Sequence, residues 1–382
     1  MCKFSSSILL APLLAASLLA PSLAAKSGEY LMYVGTYTRN DSKGIYVYKF
    51  DTATGKATSI GLAAEYPNPS FVTIHPNRRF LYAVSEVDNY NGQKSGAVAA
   101  FSIDKTSGKL TKINEMSTKG TIPCHLVVDK TQRNLIVVNY GSGSTTVYPL
   151  NADGSLKEPS SFIQHQGSST DRSRQQGPHA HSVNLSKDNR FAVVADLGLD
   201  EVKVYKFDAA AGKIEPGEVA KVKPGSGPRH FNFHPSQKYA YVINEMASTV
   251  TAFRYDKANG KLTEMQTLST VPAGNTTRNS TAEVLVHPSG KFVYGSNRGH
   301  NSIAVFQVDR SNGKLTHVDN TPTQGKTPRN FAIDPSGKFL LAENQDSSTI
   351  VIFRIDQSTG KLTPTGDVLQ QPIPVCIRFL PR

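Results

Sequence analysis

The sequence predicts an all-β fold, a seven-bladed β-propeller with four antiparallel strands in each blade. Two observations lead to this prediction. One strand-and-turn unit recurs seven times in the 382 residues, and the two ends of the chain carry complementary fractions of one such unit. A period near 50 residues made of short strands is typical of propellers, in which each repeat forms one blade.

The outer half of each unit is an alternating apolar run that closes on Asp-x-x-x-Gly-Lys, as in STVTAFRYDKANGKLT from Ser248. Period-2 alternation rich in Val, Tyr, Phe and Ile predicts a strand, and the Asp and Gly that follow predict a hairpin turn. The copies begin at Gly44, Gly96, Ser144, Glu201, Ser248, Asn301 and Ser348.

The inner half of each unit is typified by PRHFNFHPSQKYAYVINE from Pro228. Two apolar runs flank a His-Pro turn, which predicts a strand, a turn and a second strand. Together the two halves supply four strands. The inner copies begin at Pro69, Pro123, His179, Pro228, Thr281, Pro328 and Pro374.

The chain ends predict how the ring closes. The last copy stops after its first strand, in PIPVCIRFLP, and YLMYVGTYT from Tyr30 aligns with the second strand of the other copies. We therefore expect both termini to share the final blade, which would pair the two sheet edges otherwise left open.

Residues 1–25 have the order of a secretory signal peptide. Lys3 precedes an apolar run from Ile8 to Ala20, and small residues follow up to Ala25. We expect cleavage near this point, a single propeller domain over residues 26–382, and a periplasmic or secreted protein without membrane attachment. An uncleaved anchor is the alternative.

Composition excludes a disulfide scaffold, because the chain has only three cysteines. Cys124 and Cys376 lie in apolar strand-like runs and are expected to be buried free thiols. The net charge of +12 fits either an anionic ligand or a solubilising surface. Nucleic acid is not expected, because the lysines recur at turns without forming an aromatic-bearing patch. A monomer is expected.

Equivalent positions in the repeats predict where a site lies. The start of each first strand and the end of each second strand should meet on one face of the ring. At the third position of the first strands stand Phe71, His125, His181, His230, Glu283, Asn330 and Cys376. At the ends of the second strands stand Tyr37, Glu86, Tyr140, Asp196, Glu245, Arg298 and Gln345. Polar, non-repeating residues that converge in this way describe a pocket.

The densest part of this pattern comes from the third to fifth blades. It holds imidazoles for proton transfer, a carboxylate that can orient them, and arginines that bind an anion or a developing oxyanion. Its members are His179, His181, Arg229, His230, Glu245 and Arg298. Three axial histidines could hold a metal, but neighbouring arginines disfavour a cation, so no metal or other cofactor is expected. His75, His234 and His287 recur with the turns and are interpreted as structural.

One polar stretch departs from the repeat. Residues 166–176, QGSSTDRSRQQ, form an insertion before the third inner strand. An insertion that emerges beside a propeller mouth can cover a ligand, and most such insertions are passive.

Several motifs give the chain a family resemblance. They are GPHAHSV at 177–183, GPRHFNFHP at 227–235, VINE at 242–245, SNRGHNSIAVF at 296–306 and PRNFAIDPSGKFLLAEN at 328–344. The sequence resembles the lactonase family of seven-bladed propellers, which includes bacterial 6-phosphogluconolactonases and fungal carboxymuconate cycloisomerases. A His, an Arg, a Glu and a second Arg act in the cycloisomerase branch. By motif these fall on His181, Arg229, Glu245 and Arg298, which the resemblance implies as catalytic residues.

The resemblance implies metal-independent hydrolysis of a sugar lactone of the 6-phosphogluconolactone or gluconolactone type. His181 would act as general base or proton relay, and Glu245 would hold its partner groups in place. Arg229 and Arg298 would bind an anionic substrate and stabilise the charge on the lactone oxygen. Further substrate-binding residues are expected at His179, His125, His230, Arg329 and Glu86. The alternatives are a carboxymuconate-type cycloisomerase and a non-catalytic periplasmic binding propeller.

Overall fold

The computed structural model describes residues 1–2 and 28–382. In these residues the chain forms seven sheets of four antiparallel strands arranged in a ring, which confirms the predicted fold. Apart from residues 1–2, the predicted signal peptide lies outside the described residues. The described part of the chain contains no helix long and apolar enough to cross a membrane.

Six of the seven sheets are meanders of four strands that are consecutive in the chain. The first two such blades consist of β4 (Val72–Ile74), β5 (Phe80–Ser85), β6 (Ala97–Ile103), β7 (Leu110–Ser117), β8 (Pro123–Val128), β9 (Asn134–Asn139), β10 (Ser144–Pro149) and β11 (Ser161–Gln164). The third and fourth consist of β12 (Ala180–Leu185), β13 (Phe191–Asp196), β14 (Glu201–Asp208), β15 (Lys213–Lys221), β16 (Pro228–Phe233), β17 (Tyr239–Asn244), β18 (Thr249–Asp256) and β19 (Lys261–Ser269). The fifth and sixth consist of β20 (Ser280–Val286), β21 (Phe292–Arg298), β22 (Ser302–Val308), β23 (Leu315–Pro322), β24 (Pro328–Ile333), β25 (Phe339–Asn344), β26 (Thr349–Ile355) and β27 (Leu362–Gln370).

The seventh blade closes the ring with strands from both chain ends, as the sequence predicted. Its strands are β28 (Pro374–Pro381), β1 (Glu29–Thr36), β2 (Gly44–Asp51) and β3 (Ala57–Glu65), in that order from the axis outward. Cα pairs from Tyr30 with Pro381 to Thr36 with Pro374 join the two ends. The pairing gives the last strand, β28, a hydrogen-bonded neighbour and places β1 between β28 and β2.

Neighbouring blades pack through apolar side chains and are also joined by a repeated hydrogen bond. A buried tyrosine of a second strand donates its hydroxyl to the carbonyl of the turn glycine in the next blade. Tyr241 reaches Gly313 in this way at 2.9 Å, and Tyr294 reaches Gly360 at 2.9 Å. Gly360 has a φ of +76°, and a Cβ there would lie 2.6 Å from the Phe292 ring. The recurring Asp-x-x-x-Gly-Lys turn therefore serves both hairpin geometry and blade packing.

Both cysteines of the propeller are buried free thiols, as expected. Cys124 lies in the second blade and Cys376 in the closing blade. Burial raises the pKa of the Cys376 thiol to about 11, so this group stays protonated at neutral pH.

Candidate functional site

The site is built on a ring of β-bulges at one end of the axis. Near its start, the inner strand of six blades carries one residue that has no partner on the second strand. Bulges of this kind re-aim a side chain and are common next to active sites. With the equivalent residue of the first blade, the ring consists of Ser70, Cys124, His181, Arg229, Ala282, Arg329 and Val375.

The strand pairing corrects the register that the sequence suggested for the third blade. Ala180 pairs with Asp196 and Ser182 pairs with Ala195, so His181 is the bulged residue. His181 is therefore equivalent to Arg229, and Ser182 takes the place that His125 and His230 occupy in their blades. The repeat pattern placed the start of this strand one residue too early, because no proline marks its first position.

The same register corrects the position of Asp196. Asp196 is the last paired residue of its strand, equivalent to Asn139 and Asn244, and the residue at the mouth in this blade is the apolar Leu197. The Asp196 carboxylate lies between blades, where it contacts His165 Nδ1 at 2.6 Å. It also accepts the backbone N–H of His179 at 2.7 Å, so it fixes the backbone that leads to His181.

Glu245 is the centre of an ion cluster at the mouth. Its Oε2 lies 3.0 Å from Arg229 Nε and 2.9 Å from Arg298 Nη2, and its Oε1 lies 2.8 Å from Arg174 Nη2. Burial would raise the pKa of Glu245, but Arg298, Arg229 and Arg174 outweigh it and hold this pKa far below its usual range. The structure thus brings together three of the four residues that the sequence predicted as catalytic.

The arginines of this cluster are held by more than their charge. Arg229 Nη1 donates to the Ala282 carbonyl at 2.7 Å, and Arg298 Nη2 donates to the Thr281 carbonyl at 2.6 Å. Burial, with repulsion from Arg329 and Arg298, lowers the pKa of Arg229 to about 10, which leaves it charged at neutral pH. Arg298 Nε is buried and has no acceptor among the described residues.

Arg174 comes from the inserted loop, residues 166–176, and sequence reasoning did not single it out. Besides Glu245, its Nη2 reaches the Tyr140 hydroxyl at 3.1 Å. The side chain is 41% exposed, whereas those of Arg229 and Arg298 are 3% and 13% exposed. The loop therefore extends over the mouth and adds a third cation to Glu245. The insertion itself was the available signal, because it is the one long departure from the repeat.

A second group lies on the opposite side of the mouth, around Glu86. The Tyr37 hydroxyl donates to both Glu86 carboxylate oxygens, at 2.9 and 3.0 Å, and the Ser70 hydroxyl donates to Oε2. The Arg329 guanidinium lies 5.4 Å from the centre of the Tyr37 ring. Arg329 forms no hydrogen bond or ion pair with any other described residue, so its donors remain available to a ligand.

His181 lies between the two charged groups. Its Nδ1 is 3.6 Å from Cys124 Sγ, and the Cys124 thiol also lies 3.3 Å from the His181 carbonyl. Burial raises the pKa of Cys124, so the thiol stays protonated and donates to the His181 carbonyl. Burial, reinforced by Arg229, His230 and Arg329, lowers the pKa of His181 well below 6.5. His181 is therefore a neutral imidazole at neutral pH.

The remaining predicted histidines surround His181. The His230 ring lies 5.3 Å from the His181 ring and 5.4 Å from the His125 ring, centre to centre. The His125 ring packs against the Phe71 ring at 4.0 Å, centre to centre, with the planes tilted by 33°. His179 stacks on the ring of Tyr140 at 4.6 Å and contacts the Tyr140 carbonyl through Nδ1 at 2.8 Å.

Two spaces lie at the mouth. A narrow cavity of about 10 Å³ at the axis is lined by Ser70, Phe71, Glu86, Cys124, His181, Arg229, His230, Arg329, Asn330 and Val375. A wider cleft of about 820 Å³ is lined by Arg174, Glu245 and Arg298 among others. Glu245 lines the cleft and forms an ion pair with Arg229, which lines the cavity. The cleft has room for a small polar ligand.

The histidines interpreted as structural make hydrogen bonds between blades. His234 Nε2 contacts the Gly290 carbonyl at 2.9 Å, and His287 Nε2 contacts the Gly337 carbonyl at 2.7 Å. His75 Nε2 contacts the Gln132 carbonyl at 3.0 Å. Within the described residues, no group of three or more His, Cys, Asp or Glu side chains is arranged to hold a metal ion.

The fold and this mouth define a propeller with a buried, cation-rich polar site. Residues 31–379 match the family model described as lactonase, 7-bladed beta-propeller. The chain belongs to this lactonase family.

Similar proteins include two named 6-phosphogluconolactonase. The one from Bacillus subtilis is 39% identical over 92% of this chain and 99% of its own length. The one from Formosa agariphila is 39% identical over 79% of this chain and 86% of its own length. The solved structure of a periplasmic gluconolactonase from Pseudomonas aeruginosa has a TM-score of 0.87 at 33% identity, covering 92% of this chain and 99% of that one.

We expect Glu245→Gln to lower the free energy of unfolding by about 3 kcal/mol at pH 7, because it leaves buried arginines without their carboxylate. The folded-state pKa of Glu245 is depressed, so its contribution is complete above its ordinary value of 4.5 and is lost as the pH falls below that value. The difference in the free energy of unfolding between Glu245→Gln and the wild type should therefore narrow below pH 4.5. Urea unfolding at a series of pH values measures this difference.

Glu264→Gln is the matched control for this measurement, because Glu264 is exposed on an outer strand. It should change stability by less than about 0.5 kcal/mol at every pH. The buried neutral histidines also weaken the fold below pH 6.5, but they do so equally in all three proteins. A gap that stays constant from pH 7 to pH 3 would contradict the role given to Glu245.

Proposed function

We propose that the chain hydrolyses a sugar lactone to the open-chain acid without a metal ion. The observation that carries this proposal is the cavity at the mouth, where the neutral imidazole of His181 and the uncommitted guanidinium of Arg329 line one space. Relatives named 6-phosphogluconolactonase and gluconolactonase, and membership of the lactonase family, support the same reaction class.

The arginines at the mouth suit the charge that develops during lactone hydrolysis. Attack of water on the lactone carbonyl places negative charge on its oxygen, and preorganised donors stabilise that charge. Arg229 and Arg298 are fixed by Glu245 and by backbone carbonyls, and Arg298 Nε remains an unpaired buried donor in the described structure. We assign oxyanion stabilisation to these two arginines, with Glu245 as the residue that orients them.

Arg329 is assigned to the anionic group of the substrate. It lies in the same cavity as His181 but outside the Glu245 cluster, and its guanidinium can form charge-assisted hydrogen bonds to a carboxylate or phosphate. His125, His179, His230 and Glu86 then surround the sugar with polar edges. This assignment moves anion binding from Arg229 and Arg298, where the sequence placed it, to a neighbouring blade.

His181 is assigned to proton transfer. A neutral imidazole beside the attacking water can take its proton, either as the base itself or as a relay to a second imidazole. Hydroxide then attacks the carbonyl carbon, the ester C–O bond breaks, and the ring oxygen receives the proton as the chain opens. Cys124 and Tyr140 fix the position of the His181 ring.

We also propose that the protein acts outside the cytoplasm. Residues 1–25 have the pattern of an export signal, and the Pseudomonas aeruginosa relative is named as periplasmic. Phosphorylated sugar lactones belong to cytosolic metabolism, so phosphorylated and unphosphorylated lactones must be compared directly.

The proposed reaction is tested by pH-stat hydrolysis of glucono-δ-lactone and 6-phosphogluconolactone, with and without a chelator. We expect hydrolysis of at least one lactone at a rate that the chelator does not change. Chelator-sensitive hydrolysis would replace the proposal with a metal enzyme. Absence of hydrolysis on every lactone would favour the non-catalytic binding propeller.

His181→Ala should abolish lactone hydrolysis, with a loss of at least about 100-fold in kcat, because it removes the proton-transfer group. The propeller should remain folded, since His181 lies at a bulge and outside the apolar packing between blades. His234→Ala is a control that removes a structural histidine. It should lower the free energy of unfolding and leave kcat close to the wild-type value. A folded His181→Ala variant with wild-type activity would refute the assignment.

Arg329→Met should raise KM for 6-phosphogluconolactone about tenfold or more, because a charge-assisted hydrogen bond contributes about 1.5 kcal/mol or more. KM for the neutral glucono-δ-lactone should change less than about twofold. Arg354→Met, at an exposed position of β26 away from the mouth, is the matched control and should change neither value. Equal losses on both lactones would show that Arg329 does not bind the anionic group.

A further inference from the structure

The imidazoles of His125, His181 and His230 differ in whether a carboxylate lies beside Nδ1. His125 contacts the backbone N–H of Val183 through Nδ1 at 3.4 Å, and His181 contacts the Cys124 thiol. His230 Nδ1 instead lies 2.9 Å from Glu283 Oε1. His230 is therefore the one member of this described cluster that is hydrogen-bonded to an acid.

Glu283 is held as an ionised carboxylate would be. His230 and the backbone N–H of Val284 approach its Oε1, each at 2.9 Å, and Asn330 Nδ2 donates to Oε2 at 2.8 Å. Glu283 is 5% exposed. Burial raises its pKa above 4.5, while Arg229 and Arg378 oppose that rise. Three donors around one carboxylate favour its charged form.

This arrangement determines what the His230 ring can do. A carboxylate at Nδ1 keeps the proton on that nitrogen, which leaves Nε2 as the acceptor, and it stabilises the imidazolium that forms when Nε2 takes a proton. The titratable and charged groups that face His230 are Glu283, Glu86, Arg229, Arg298, Arg329, Arg378, His125 and His181. Burial and the four arginines lower the pKa of His230 well below 6.5. Within this described set Glu283 is the acid hydrogen-bonded to His230, so it is the group placed to offset a positive charge on that ring.

We propose that His230 holds the proton released from water during lactone hydrolysis and that Glu283 is the positioning residue that enables it. The proposal rests on the proposed function and assigns His181 to the relay. Water gives its proton to His181, which passes one on to His230. The hydroxide attacks the lactone carbon, and the proton returns by the same route to the ring oxygen when the C–O bond breaks.

Glu343 supplies a matched control for Glu283. It is also a buried glutamate, at 0% exposure, on β25 of the sixth blade. Neither of its carboxylate oxygens has a hydrogen-bond partner among the described residues. Burial raises the pKa of Glu343 well above its usual range, so this carboxyl is neutral. Glu343→Gln therefore makes the same chemical change at similar burial without removing a charge from an imidazole.

The test compares Glu283→Gln and Glu343→Gln with the wild type. It measures kcat, KM and the pH profile of kcat on whichever of the two lactones the wild type hydrolyses faster. We expect Glu283→Gln to lower kcat at least about tenfold while KM changes less than about twofold. The acid limb of its pH profile should move to lower pH, because loss of the carboxylate lowers the pKa of His230. Glu343→Gln should match the wild type in all three measurements.

Imidazole ¹⁵N spectra of histidine-labelled protein separate this proposal from the proposed function. The wild type should show His230 as the Nδ1–H tautomer, assigned by its loss in His230→Gln, whether or not any lactone is hydrolysed. This measurement also stands if Glu283→Gln fails to fold. An Nε2–H tautomer at His230, or equal pH profiles for the two glutamine variants, would overturn the proposal.

Discussion

Closure of the ring by β28 and β1 is the constraint on which the rest of the structure depends. It joins residues 374–381 to residues 29–36 and so brings seven inner strands around one axis. Only in a closed ring do Arg329 of the sixth blade and Tyr37 of the closing blade come within cation–π distance. The site is therefore a property of the complete ring, since no single blade contains enough of it to bind a ligand.

Bulges and buried charge then convert this ring into a site. The bulged residues face the mouth, where Arg229, Arg298 and Arg329 would repel one another strongly without Glu245 and Glu86. Desolvating several arginines is costly, and the surrounding carboxylates and carbonyls offset that cost while keeping the guanidinium groups fixed. Such fixed donors need little reorganisation when negative charge develops on a substrate.

The sequence was sufficient to predict the blades, the shared closing blade and the polar mouth, because each rests on repetition. It was insufficient where repetition is broken. The first strand of the third blade begins at Ala180, where no proline marks the start, so the repeat pattern placed it one residue too early. Arg174 lies on a loop without periodicity, and the Glu283–His230 contact joins two blades whose sequences are 53 residues apart. Contacts between blades follow from the closed ring and not from local pattern.

The exposure of Arg174 makes its ion pair with Glu245 more sensitive to salt than those of Arg229 and Arg298. Arg229 and Arg298 hold Glu245 from buried positions that dissolved salt screens weakly, whereas Arg174 holds it from a side chain that is 41% exposed. Rising ionic strength therefore weakens the anchor of the inserted loop before it weakens the cluster beneath. The hold of the inserted loop on the mouth is thus the salt-sensitive part of the cluster, and the two buried ion pairs beneath it are insulated from the medium.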